Sequence, residues 1–336
     1  MAELTVPRQT RAVVAMKAET TSGTDVFAGT YTAGDVLLVD PESIRLTIDP
    51  GETPIRAPGQ LGRLPSAMSV TTARLDFAMP VRGRGSAYSA SVKPEISVPL
   101  RACGLAETVD TTLNAEKVTY QPTNTDETVT IYLVLDVPGG AAPAYQLVGC
   151  LGTVSFTARA AGLLRAEFSF VGVLEERADI TYVAGNVNAT PRWPTLVSAN
   201  FQIGAANYAP RISTISLALN NALQPVQAIN AARGVAGVTR IDRDPRVTID
   251  PEADREANSG WWAALRDGSP LHDLTWQVGS AQYNRVKFAF GAGATPESSV
   301  QVVAQGLGVR DGLVVFPTTL LCTLPSANGD LKITFD

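Results

Sequence analysis

Ile44, Leu46 and Ile48 alternate with Arg45, Thr47 and Asp49, and further on Ala73, Leu75, Phe77, Met79 and Val81 alternate with Thr72, Arg74 and Asp76. A period of two sends successive side chains to opposite faces of an extended chain, so each run reads as a strand with one dry face and one wettable face. VTIYLVLD (129–136), AYQLVGCLGTVSFTA (144–158) and LRAEFSFVGVLEE (164–176) are further strands, rich in Val, Tyr, Phe or Thr and bounded by Gly, Pro or Asp. VPGGAAPA reads as a hairpin connection between the first two of these. VPLRACGLAETV (98–109) and WWAALRDG (261–268) read as short helices, each apolar on one side and stopped by Gly or a polar turn. The chain is mostly β.

A chain of 336 residues exceeds one comfortable core and points to two domains. RVTIDPEAD (246–254) nearly repeats RLTIDPGET (45–53), but that spacing leaves too short a second copy and pairs no helix with a helix. The echo is strand-plus-turn chemistry, alternating residues followed by Asp-Pro. A better spacing aligns the two helices, places Ile215 171 residues after Ile44 and Val286 168 after Val118, and matches RVTIDP with RLDFAMP (74–80). The expected division is a first repeat over 1–182, a linker over 183–196 and a second repeat over 197–336. The connections 49–68 and 220–237 fall at matching places, and loops of that length between strands are usually functional.

Composition narrows the function. With 45% hydrophobic and 18% charged residues the chain is globular, and its net charge of −5 is spread without a basic stripe that would hold duplex DNA by its phosphates. No window is long and apolar enough for a membrane helix, and the apolar patch at Ala12–Met16 is too short for a signal peptide, so a cytosolic site of synthesis is expected. Cys103, Cys150 and Cys322 are odd in number, far apart and in apolar surroundings, which predicts buried thiols.

Chemistry-bearing constellations are sparse. His272 is the single histidine, so a zinc site lacks a second one; a dyad with Cys103 or Cys322 competes with a histidine in a surface turn. FAFGAGATPESS (288–299) lacks the third glycine of a dinucleotide loop, and GLGVRDG (306–312) reads as a hairpin turn. Asp242, Asp244 and Asp250 have Pro245 where a calcium loop would place a ligand. Trp261 and Trp262 form either a sugar platform or, for at least one ring, a core plug. The expectation is no enzyme, no catalytic residue, no metal and no cofactor.

AETTSGTD (18–25), IRLTID after DVLLVDPES, VPLRACGLAETV before AEKVTYQP, TVSFTARAAGLLRAEFSFVG, and the closing VRDGLVVFPTTLLCTLPSANGDLKITFD carry a resemblance over nearly the whole chain. In these segments the sequence resembles the two-domain tail tube proteins of long-tailed bacteriophages. The resemblance implies two tandem related β-sandwich or partial-barrel domains, each with a long hairpin arm and one short flanking helix. It implies rings of three chains acting as pseudo-hexamers, stacked into a hollow tube that conducts the genome, with a lean toward the non-contractile, siphovirus kind. The implied partners are the chain itself and the tail tip, tape measure and tail terminator proteins. DNA passes without specific binding, no membrane is involved, and assembly in the host cytoplasm leads to the virion tail. The rival from another class is a carbohydrate-binding β-sandwich or another structural or adhesion component of a virion.

Strand parity then assigns faces. Arg45, Thr47, Asp49, Thr72, Arg74 and Asp76, with Ser216, Asn220, Arg246, Thr248 and Asp250 in the second repeat, are expected to face the bore. Pro50, Arg56, Gln60 and Arg63, with Gln224, Gln227, Asn230 and Arg233, are expected on arms that touch the next ring.

Overall fold

The computed structural model describes residues 9–56, 58, 63–137, 141–186, 191–203, 208–231, 233–269, 274–290, 300–323 and 329–336. In the first half, β1 (Ala12–Ala18), β2 (Arg45–Arg56) and β3 (Arg63–Pro80) lead to helix α1 (Ser97–Ala102), followed by β4 (Leu105–Asp110), β5 (Lys117–Pro122), β6 (Val129–Leu135), β7 (Ala142–Arg159) and β8 (Arg165–Ile180). The second half opens with β9 (Gln202–Ile203), β10 (Thr214–Ala218), β11 (Asn221–Gln227), β12 (Val235–Arg243) and β13 (Arg246–Ile249). Helices α2 (Glu256–Ser259) and α3 (Trp261–Asp267) come next, then β14 (Leu274–Val278), β15 (Val286–Phe290), β16 (Val300–Gln305), β17 (Gly308–Arg310), β18 (Leu313–Val315), β19 (Thr318–Cys322) and β20 (Lys332–Phe335).

The strand order β2-β3-β8-β7 of the first half recurs as β10-β13-β19-β16 in the second, and these runs are joined side by side where β7 pairs with β10. A second layer also recurs: β1, β6, β7 and β8 pair in that order, as do β9, β14, β15 and β20. β7 and β8 serve both layers of the first half because they are long and broken by a bulge between Val148 and Leu151. Gly149 sits in that bulge at φ +60, a backbone region that side chains with a Cβ rarely adopt. The Glu19 carboxylate fixes it, accepting from Gly149 N at 2.8 Å and from the Thr128 and Thr130 hydroxyls at 2.7 and 3.0 Å.

Between the layers lies one apolar core that includes Leu75, Phe156, Phe170, Leu217, Val247, Phe288 and Leu320. Phe288 stacks on Trp276 with ring centroids 4.0 Å apart and meets Phe156 edge-on at 5.3 Å, so residues from both halves share the packing. Burying each such ring contributes on the order of 1.5–3 kcal/mol. Cys103, Cys150 and Cys322 are all buried and unbridged, and burial pushes their thiols up.

Three expectations need correction. The helix expected over 98–109 ends at Ala102, because Gly104 at φ +79 turns the chain and Leu105 enters β4. The Arg240 guanidinium lies where a Cβ at Gly104 would stand, so a larger residue would have to displace it as well as adopt a strained backbone. In the second half two helices replace the expected one, hinged at Gly260 with φ +63. Val118 and Val286 are not counterparts: β5 and β15 flank β20 from opposite sides, and no equivalent of the β4–β5 hairpin stands between α3 and β14 among the described residues.

The connection 49–68 is largely strand. Pairing of β2 with β3 runs from Arg45–Asp76 out to Arg56–Arg63, with shifts between Pro50 and Glu52 and between Thr53 and Ile55. These irregularities fall beside Pro50 and Pro54, which lack the N–H a regular ladder needs. Its counterpart in the second half is the β11–β12 hairpin. The segment expected to link the repeats packs on the first half, with Arg82 stacked over the Trp193 ring at 4.2 Å and donating to the Pro191 carbonyl at 3.1 Å.

Candidate assembly surfaces

Directly opposed residues in antiparallel strands share a face, so the face away from the core can be traced across the large sheet. Arg45 opposes Asp76, Thr47 opposes Arg74, and Asp49 opposes Thr72. Asp76 then opposes Ser169, which opposes Thr153. On the same face, farther along β7, Thr157 opposes Arg165 and Ser216; Ser216 opposes Thr248, and Thr248 opposes Thr319. The residues assigned by parity, apart from Asn220 and Asp250, thus lie on one continuous polar face that spans both halves.

Its charges are locally balanced. Arg74 Nε lies 2.9 Å from Asp76 Oδ1, Arg246 Nη2 2.7 Å from Asp244 Oδ2, and Arg165 Nη2 2.8 Å from Asp40 Oδ2. Exposed pairs of this kind add little stability, but each cancels much of its own field within a Debye length.

Two of the assigned residues lie just beyond the paired strands that carry the face. Asn220 lies in the turn after β10 at φ +50 and donates to the Asp244 carbonyl at 2.9 Å. Asp250 follows β13, where its carboxylate accepts from the backbone N–H groups of Ser213 and Thr214 at 2.9 and 2.8 Å and from Arg310 Nη1 at 2.8 Å. Burial raises its pKa, but the hydrogen bond from the Ser213 hydroxyl together with these others outweighs that and holds it below the usual carboxylate range. The aspartates weighed as a calcium loop are therefore used within the chain, and among the described residues no cluster of His, Cys, Asp and Glu is grouped to hold a metal.

The arm residues lie at the hairpin extensions. Pro50 and Arg56 are exposed, and Arg63 opposes Arg56, while Gln60 lies outside the described residues, as do His272 and the glycine-rich stretch from Gly291 on. Gln224, Gln227, Asn230 and Arg233 are exposed on β11 and the tip beyond it, where Ile229 is also fully exposed. The base of this second arm is fastened to the first half: Asn221 Nδ2 donates to the carbonyls of Cys103 and Gly152 at 2.7 and 2.8 Å, and Arg240 Nη2 lies 2.9 Å from Asp126.

Trp261 is buried edge-on against Tyr208, leaving Trp262 as the exposed ring of the pair. A sugar platform made of both rings is not present.

Sequence reading missed the two ends of the large sheet. At one end β2 pairs with β3 alone, and at the other the hairpin of β16–β17 with β18–β19 has no further partner on the β16–β17 side among the described residues. Leu307 and Val309 on that open edge are 78% and 74% exposed. The available signal was the alternation of Leu307 and Val309 within GLGVRDG, masked by its glycines and turn chemistry.

A family model described as phage tail tube protein matches residues 9–314. The chain belongs to the phage tail tube protein family. No curated protein matches it significantly. As a member of that family it is a structural component of the virion tail. Among its described residues no helix is long and apolar enough to cross a membrane.

Proposed function

We propose that this tail tube protein forms rings of three chains, each supplying two strand-matched units with boundaries near 1–182, 183–196 and 197–336, and that stacked rings make the hollow conduit for the genome. The observation that carries the reading is the β7–β10 pairing, which sets the matching strand runs of the two halves side by side in one sheet. A chain that already places two units head to tail leaves complementary edges at its ends, and heterologous contacts of this kind generate rings when the rotation closes. The polar sheet face lines the bore, where paired charges let DNA pass without a continuous cationic surface to hold it.

In this reading the two hairpin arms contact the next ring, and the stack ends against tail tip and tail terminator proteins around a tape measure protein. Assembly takes place in the host cytoplasm before the tail is completed. Negative-stain images of the purified chain test the reading: hollow rings or tubes are expected, and a protein that stays monomeric at high concentration would refute it.

A further inference from the structure

The two ends of the sheet can be read against the junction inside the chain. Counting back from the hairpin tips, the last pair Arg310–Leu313 of the second half matches the turn that begins at Arg159 in the first, where Gly162 N donates to the Arg159 carbonyl. With the tips superposed, Phe156 and Ala158 correspond to Leu307 and Val309. The β2–β3 and β10–β13 pairings then make Leu219 the counterpart of Ile48. Phe156, Ala158 and Leu219 are 0%, 1% and 0% exposed at the junction where β7 pairs with β10, with Phe288 of the opposite layer also covering Phe156. Their counterparts Leu307, Val309 and Ile48 are 78%, 74% and 39% exposed. The same positions are dry where the neighbour is present and bare where it is not.

We propose that the open edge at residues 306–310 of one chain pairs antiparallel with β2 of a second copy, in the register of the β7–β10 junction. Thr47 then opposes Gly306 and Leu46 opposes Leu307, as Ala218 opposes Ser155 and Leu217 opposes Phe156 within the chain. The occupant is a second copy because β2 is the counterpart of β10, the strand that fills this place at the internal junction. Pairing removes two open edges, which are a liability in any exposed sheet. The proposal rests on the ring reading above and adds the edge and the register.

Disulfide trapping tests it. At the internal junction Leu219 N donates to the Val154 carbonyl and Ala160 N to the Ser213 carbonyl, so Ala218 and Ser155 form a non-hydrogen-bonded pair. Such a pair has Cα atoms about 4.5 Å apart, within disulfide reach. Thr47→Cys with Gly306→Cys places thiols at the corresponding pair, and Gly306 has space for a side chain, its nearest contact being 3.9 Å away. Oxidation with diamide should give cross-linked dimers and trimers on a denaturing gel, with no species above three. Arg45→Cys with Gly306→Cys, two residues out of register, should stay monomeric on the same gel.

Images of the unmutated chain separate the two ideas. Rings without the in-register cross-link, or with the out-of-register one instead, overturn this register and leave the ring reading standing. An absence of rings overturns both. Leu307→Asp with Val309→Asp should give a chain with unchanged circular dichroism that no longer forms rings, and normal rings from that variant would also overturn the proposal.

Discussion

Leu217 of β10 lies directly opposite Phe156 of β7, in the strand pair that makes the large sheet continuous across the two halves of the chain. Both side chains are fully buried, and Phe156 also meets Phe288 in the opposite layer. Phe156→Ala should therefore cost about 3–5 kcal/mol, the usual range for an aromatic-to-alanine cavity. Because both halves share the packing, the loss should appear as a lower midpoint of a single urea transition followed by fluorescence and circular dichroism. Two separated transitions in the unmutated chain would show that the halves unfold independently.

Glu107 offers a test in pH. Burial raises its pKa, but hydrogen bonds from Lys93, Ser97 and Tyr120, the last at 2.9 Å, more than offset this and hold the carboxyl below its ordinary value of 4.5. A depressed carboxylate contributes stability above its unfolded pKa and loses it as pH falls through the folded one. Glu107→Gln should be less stable than the parent at pH 7, and the gap should narrow as the pH is taken below about 4. Urea midpoints at the two pH values check this, and a gap that widens in acid would reverse the sign.

Much of the architecture is legible in the sequence because alternation is a local signal. The strands around 129–136, 144–158 and 164–176 stand close to their expected places. What failed was non-local. The β4–β5 hairpin has the same period as β14–β15, so Val118 and Val286 looked equivalent; which strand each pairs with is set by the third strand, β20, far along the chain. The apolar run continuing through Cys103 reads as a longer helix than α1, which ends before the left-handed Gly104 beneath Arg240. Parity groups most of the polar-face residues together, but it says nothing of the Ser213, Thr214 and Arg310 donors that engage Asp250 just past the end of β13.

The bore assignment predicts an effect of charge on transport without loss of the fold. Asp49 and Asp76 oppose Thr72 and Arg45 on the polar face and are not buried. Asp49→Lys with Asp76→Lys should cost about 1 kcal/mol, because a lysine at position 76 stands opposite Arg45 and beside Arg74, and should leave tubes intact. DNA release from particles carrying the variant should slow, and added salt should relieve the defect as phosphate contacts weaken. Release at the normal rate in low salt would remove these strands from the bore.

The second arm allows ring formation to be separated from stacking. Its base is held by Asn221 and Arg240, whereas Ile229 at its tip is fully exposed. Ile229→Asp should leave the fold and single rings unchanged and shorten the tubes seen by electron microscopy. Tubes of undiminished length would exclude the tip from the contact between rings.

The most direct measurement is cryo-electron microscopy of the assembled protein at a resolution that traces strands. The account predicts a threefold ring of chains in which the sheet holding β7 and β10 continues from one chain to the next, with Thr157 and Ser216 facing an open channel. A ring whose chains meet through their helices, or a tube whose channel is lined by the opposite layer, would contradict it.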